Sequence, residues 1–156
     1  NRYRLAVTLY QETYGALPGD DAHADSHFGD DIDNGNGDGV IADPETTYFW
    51  QHLAKAGHIA SSQAPSSKLG GIFTVAHDPF PEFKGHFIIL SNPRHTGLLT
   101  PRQAHMLKAK ADDGKAHEGL LRFTDGTNAG GNKCLTANGD FNITHNHPSC
   151  ILLTPF

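Results

Sequence analysis

The chain has two cysteines, one methionine and one tryptophan among 156 residues. Two cysteines cannot build a disulfide-dense scaffold, and neither belongs to a C-x-x-C pair of the kind that holds zinc. No apolar run approaches the ~18 residues needed to cross a membrane as a helix. H-E-x-x-H, G-x-S-x-G, G-x-G-x-x-G and P-loop patterns are absent, so no catalytic motif organises the scattered Ser, His and Asp, and the chain does not read as an enzyme. Basic residues are missing from a long stretch. Between Gly19 and Glu45 there are nine Asp or Glu and no Lys or Arg. A field of that sign repels phosphate and attracts cations, which argues against a nucleic-acid partner. Over the whole chain the balance is 12 − 17 = −5.

What is present suits one soluble domain with a sizeable core, at 37% hydrophobic and 19% charged. Inside the acidic stretch lies Asn34-Gly-Asn-Gly-Asp-Gly-Val-Ile-Ala-Asp-Pro-Glu45. Counted from Asn34, oxygen side chains fall at positions 1, 3 and 5 (Asn34, Asn36, Asp38), glycine at 6 (Gly39) and glutamate at 12 (Glu45), the spacing of an EF-hand calcium loop. Val40 at position 7 offers its carbonyl. Asp31, Asp33 and Asp43 stand near enough in sequence to add charge or further contacts. Asn34 replaces the usual aspartate, so the expected affinity is weak, in the roughly 10⁻⁴–10⁻³ M range of extracellular modules. The same residues also compose a flexible Gly/Asn/Asp turn, and Gly35 and Gly37 suit that reading equally.

Fifteen residues separate Cys134 from Cys150. A bridge there would close a polar, histidine-containing loop, add about 3 kcal/mol in the chain-entropy model and imply an oxidising compartment. Two free thiols are the alternative. Histidine is abundant, with 11 residues. His23 and His27 could share a helical face and His145 and His147 a strand face, either pair suiting a transition metal; ordinary polar histidine is the simpler reading. Asn142-Ile-Thr144 fits a glycosylation sequon, a short match that would mean little were the protein bacterial.

Periodicity predicts a helix over 2–14, with Tyr3, Ala6, Val7, Tyr10 and Tyr14 on one face. A loop of about 25 residues, Leu17 through Asp43, follows, long enough that an ion is one way to order it. A second helix starts with Asp43 as N-cap and Pro44 as its first residue, buries Phe49, Trp50, Leu53 and Ala54, and stops at Gly57. Strands are expected at Gly71–Ala76, His86–Ser91 and Leu120–Thr124, with a fourth near Phe141–Thr144. A third helix runs from Thr100, in a capping-box spacing with Gln103, to about Asp113. The sum is an α+β chain, an N-terminal helix followed by a short antiparallel sheet.

The order of these features resembles a family. Tyr14-Gly-Ala-Leu-Pro-Gly-Asp20 follows the first helix. Asn36-Gly-Asp-Gly-Val-Ile41, Trp50-Gln-His-Leu-Ala54 and Lys68-Leu-Gly-Gly71 come next. Leu99-Thr-Pro-Arg-Gln-Ala104, Asp112-Asp-Gly-Lys115, Gly119 and a C-terminal cysteine pair complete the series. The chain resembles the periplasmic or extracellular part of bacterial type IV pilins and type II secretion pseudopilins. That resemblance implies a single domain over 1–156, with the N-terminal helix in 1–15, a connecting loop in 16–69, sheet and helix in 70–133, and a disulfide-bounded loop in 134–150. It implies a structural filament subunit, in a pilus used for adhesion, motility, DNA uptake or secretion. The setting would be extracellular, on the surface of a Gram-negative bacterium, after passage through the inner membrane and periplasm. Partners would be other pilin subunits, with surface ligands on the exposed loops. Subunit and membrane contacts would run through an apolar helix half and processing site expected upstream of Asn1. The alternative is a secreted calcium-dependent binding or adhesion module, with Tyr48, Phe49 and Trp50 the aromatic residues nearest the loop.

Overall fold

A computed structural model describes residues 2–111 and 114–156. Asn1 and the Asp112-Asp113 pair, where the third predicted helix was expected to end, lie outside the described residues. The element order is α1 (Arg2–Tyr14), α2 (Ala24–Phe28), α3 (Glu45–Lys55), β1 (Ile72–His77), β2 (His86–Ser91), a short 3-10 turn (Pro93–His95), α4 (Pro101–Ala111), β3 (Arg122–Asp125) and β4 (Cys150–Pro155). The fold is α+β. Its four strands form one antiparallel sheet in the order β1–β2–β4–β3. β3 pairs with β4 in the register Arg122↔Leu153, Phe123↔Leu152, Thr124↔Ile151 and Asp125↔Cys150.

Two compact units divide the residues. The first takes the chain up to Pro65, Val75–Ile88 and Phe156; the second takes Ser66–Thr74 and Ile89–Pro155. In the first, Ala6, Val7 and Tyr10 of α1 and Phe49, Trp50 and Leu53 of α3 are buried, joined by Ile41, Phe83 and Phe87. Tyr3 meets Trp50 edge-on at 5.5 Å between ring centroids, and Tyr10 stacks on His52 at 6.0 Å. The face read from the 3.6-residue period is thus the face that packs. In the second unit the core gathers Leu99, Ala104, Ala116, Phe123 and the two cysteines, with Phe141 and Leu152 packed against it.

α3 ends as the sequence suggests. The amides of Gly57 and His58 donate to the carbonyls of Ala54 and Leu53, a Schellman pair, with Gly57 at φ 75°. Its start differs from expectation. The helix begins at Glu45, Pro44 occupies the cap position, and no side chain caps the first turn. Asp43 accepts the Thr46 hydroxyl instead. Glu45 turns its carboxylate back on the Ala42 amide, so the preceding chain curls onto the glutamate before the helix begins.

The connection before α3 is more structured than a plain loop, since it contains α2. A second correction concerns the last strand. Phe141 makes only an isolated bridge to Leu135, because the chain folds tightly between Thr136 and Asp140, whose amide and carbonyl are hydrogen-bonded at 2.8 Å. The fourth strand is Cys150–Pro155. His145 and His147 therefore share no strand face. His145 Nε2 donates to the Lys133 carbonyl at 2.9 Å and its Nδ1 accepts the His147 amide at 3.2 Å, so both ring nitrogens of His145 are engaged within the protein.

Candidate metal centre

One oxygen from each of Asp20, Asp38 and Glu45 lies within 4.8 Å of the others. Asp20 and Glu45 are buried, at 5% and 4% exposure, and Asp38 is exposed. Each carboxylate is held by hydrogen-bond donors at both oxygens. Asp20 accepts the amides of Asp38 (3.0 Å) and Gly39 (2.8 Å). Glu45 accepts the amides of Asn36 (2.8 Å) and Ala42 (3.1 Å). Asp38 accepts the Val40 amide (2.8 Å) and the Asn36 side-chain amide (3.1 Å). Among the described residues no lysine or arginine forms an ion pair with any of the three.

Glycine makes the convergence sterically feasible. A Cβ on Gly35 would stand 2.4 Å from the backbone of Asp20, and one on Gly19, at φ 94°, would stand 2.7 Å from the Glu45 carbonyl oxygen. The Gly35 amide also donates to the Asp21 carbonyl at 2.8 Å. We therefore expect Gly35→Ala to destabilise the chain by about 1–3 kcal/mol through overpacking against the fixed Asp20 backbone. A thermal melt of the variant checks this; an unchanged melting temperature would contradict the close approach.

The residues expected as ligands from sequence separate into two groups. Asp38 and Glu45 enter the cluster. Asn34 Oδ1 accepts the Asp25 amide at 2.9 Å, at the start of α2. Asn36 Oδ1 accepts the Asp38 amide at 2.8 Å. The Val40 amide is bonded to Asp38, as above. Asp31 pairs with Lys55 at 2.8 Å, the Asp33 carbonyl accepts His52 Nε2 at 2.8 Å, and Asp43 holds Thr46. Asp20 was missed by the twelve-residue template because it precedes the loop by more than a dozen positions. Its signal was Leu17-Pro-Gly-Asp-Asp21, two acids after a glycine that can turn the chain.

Under the cluster lies a buried polar network. His52 is fully buried and its Nδ1 accepts the Gly19 amide at 2.9 Å while Nε2 donates to Asp33, which fixes the neutral Nε2–H tautomer. The Tyr10 hydroxyl donates to Asp21 Oδ2 at 2.8 Å, and the other oxygen of Asp21 accepts the His23 amide at 2.9 Å. Burial, the Asp21 hydrogen bond and the Asp21 charge all push the Tyr10 phenol upward. His27 Nε2 lies 3.7 Å from Asp21 Oδ2, while His23 sits at the N-cap of α2. Of the two, His27 thus turns its ring to an aspartate, and among the described residues no cluster of metal-ligating groups includes either histidine.

Burial lowers the His52 pKa below 6.5, against the opposing pull of Asp33, Asp21 and Glu45. Burial likewise lowers those of His86 and His95. These groups bind protons more readily once unfolded. Stability from this source is complete above about pH 6.5 and is lost as pH falls from there towards the lowered folded values. Denaturant midpoints measured from pH 8 to pH 5 should decline below 6.5, and a profile flat to pH 5 would contradict the lowered histidine values.

Comparison with protein-family models, curated proteins and solved structures finds no match to this chain. The donor set itself is informative. Three carboxylates with only oxygen donors suit a hard divalent cation better than a thiophilic or imidazole-seeking metal. The class that fold and site define is an α+β chain, disulfide-bonded between Cys134 and Cys150, with an acidic cluster, two of its three carboxylates buried, that could hold a metal ion.

Proposed function

We propose that the chain is a structural subunit of a bacterial surface filament, of type IV pilin or pseudopilin kind, in which calcium clamps the connection between α1 and the sheet. The convergence of Asp20, Asp38 and Glu45 carries the calcium part of this reading. Two of these acids lie in the sequence stretch that matches the calcium-loop spacing, and two are buried with no lysine or arginine paired to them among the described residues. Calcium takes six to eight oxygens in flexible geometry, which backbone carbonyls and the nearby Asn36 amide could supply alongside the carboxylates; magnesium requires a stricter octahedron. A site of this kind suits the calcium concentrations found outside cells.

The filament part is supported by the ordered motifs, by an N-terminal helix followed by an antiparallel sheet, and by the C-terminal disulfide, which fits an oxidising compartment. A calcium-dependent binding module has less support. Phe49 and Trp50 are buried in the core, which leaves Tyr48 alone of the three partly exposed beside the loop. The test is localisation in the native bacterium. An antibody against this chain should label filaments sheared from the cell surface or the short filaments of a secretion apparatus. Label confined to free secreted protein would overturn the subunit reading.

A further inference from the structure

The loop between the cysteines carries Asp140-Phe-Asn-Ile-Thr144, of which Phe141 packs on the core while Asn142-Ile-Thr144 serves neither the core nor the metal centre. Its last three residues are an Asn-x-Thr acceptor with isoleucine rather than proline in the middle. The chain reaches it from the tight Thr136–Asp140 turn, and the Asn142 amide is anchored on the Cys134 carbonyl at 2.8 Å. Beyond that anchor the segment faces solvent. Asn142 itself is partly exposed, Ile143 is 44% exposed, and Thr144 and the residues from Asn146 to Pro148 are exposed as well.

The side chains of the acceptor already meet. Thr144 Oγ1 donates to Asn142 Oδ1 at 2.6 Å. That bond turns the segment so that amide and hydroxyl are presented together. It also occupies the oxygen end of the amide, while among the described residues no acceptor is bonded to Nδ2. An exposed isoleucine at the centre of such a turn contributes little to folding. Asp140, two residues ahead, places a carboxylate where a basic group on a modifying enzyme could read it.

We propose that Asn142 is an N-glycosylation site. The sugar donor is an oligosaccharide carried on a polyprenyl pyrophosphate, used by a transferase outside the cytoplasm, the kind of compartment that the disulfide also implies. In the transfer, Asn142 Nδ2 attacks the anomeric carbon. The new N–C bond forms as the bond from that carbon to the pyrophosphate oxygen breaks. The lipid pyrophosphate leaves with the electron pair, and one amide proton passes to a base on the transferase. No oxidant or reductant is needed. The proposal is independent of the filament reading, since it uses the acceptor segment, its exposure and the disulfide.

Mass spectrometry of the full-length protein purified from its native organism tests it. The expected result is a hexose- or hexosamine-containing mass addition on the peptide that holds Asn142. Asn142→Gln and Thr144→Ala should each remove it, and Thr144→Ser should retain it, because serine keeps the hydroxyl. A bare wild-type peptide, or sugar that persists on this peptide in Asn142→Gln, would overturn the assignment. The wild-type spectrum decides the first of these even if a variant folds poorly.

Discussion

Calcium will raise the melting temperature of the wild-type chain and leave that of Asp20→Ala nearly unmoved. A ligand that binds only the folded state stabilises it by RT ln(1 + [Ca²⁺]/Kd), which reaches about 2.7 kcal/mol at one hundred times Kd. For a chain of this size that corresponds to a shift of roughly 5–10 °C. Asp20 is the sharpest probe because it is buried and lies outside the twelve-residue motif, yet its two oxygens tie down the amides of Asp38 and Gly39. Removing it loses a ligand and frees the centre of the loop. The exposed partner, Asp38, gives the opposite sign in chelator. Without a cation, three carboxylates within 4.8 Å repel one another, so Asp38→Asn should melt no lower than wild type in chelator and clearly lower in saturating calcium. Differential scanning calorimetry of the three proteins in both conditions checks the pattern. Equal calcium shifts in wild type and Asp20→Ala would contradict the cluster as the binding site.

The disulfide should give the other large effect. Cys134 and Cys150 are both fully buried and are bonded across a sequence separation of 16. Cross-linking a loop of that size removes unfolded-state entropy worth about 3 kcal/mol. Cys150 also opens β4, and its carbonyl accepts the amides of Leu98 and Leu99 while its own amide donates to Leu99. The bridge therefore fastens the polar loop at the point where the chain enters the sheet. We expect Cys134→Ala/Cys150→Ala to lose about 3 kcal/mol in denaturant unfolding, with a steeper denaturant dependence because the uncrosslinked unfolded chain exposes more surface. A loss under about 1 kcal/mol would show that packing, not the cross-link, holds this loop.

Much of the fold was legible in the sequence where one physical signal dominated. α1 followed from the spacing of Tyr3, Ala6, Val7 and Tyr10, and the end of α3 followed from Gly57. β1 and β2 followed from runs of β-branched and aromatic residues between glycine and proline. β4 was hidden because Cys150-Ile-Leu-Leu153 is a short apolar run without alternation, partnered by a β3 segment 25 or more positions away in its register. Such a run acquires its meaning only from the sheet that covers it. The Asp43 cap failed for a different reason: Glu45 was needed by the loop behind it, and that competition is invisible to a local capping rule. The candidate site was half legible. Local spacing exposed Asp38 and Glu45, but Asp20 joins them through a close backbone approach that Gly35 and Gly19 permit. Steric permission of that kind leaves only a glycine in the sequence, and glycine has many other uses.

The most direct test of the calcium clamp is an isothermal titration of calcium into metal-stripped wild type, run beside Glu45→Gln. Glu45 is buried, starts α3 and holds both the Asn36 and Ala42 amides. Wild type should bind one calcium per chain with a Kd of roughly 10⁻⁴–10⁻³ M, and Glu45→Gln should show no saturable heat. Equal heats from the two proteins, or none from wild type, would contradict the account.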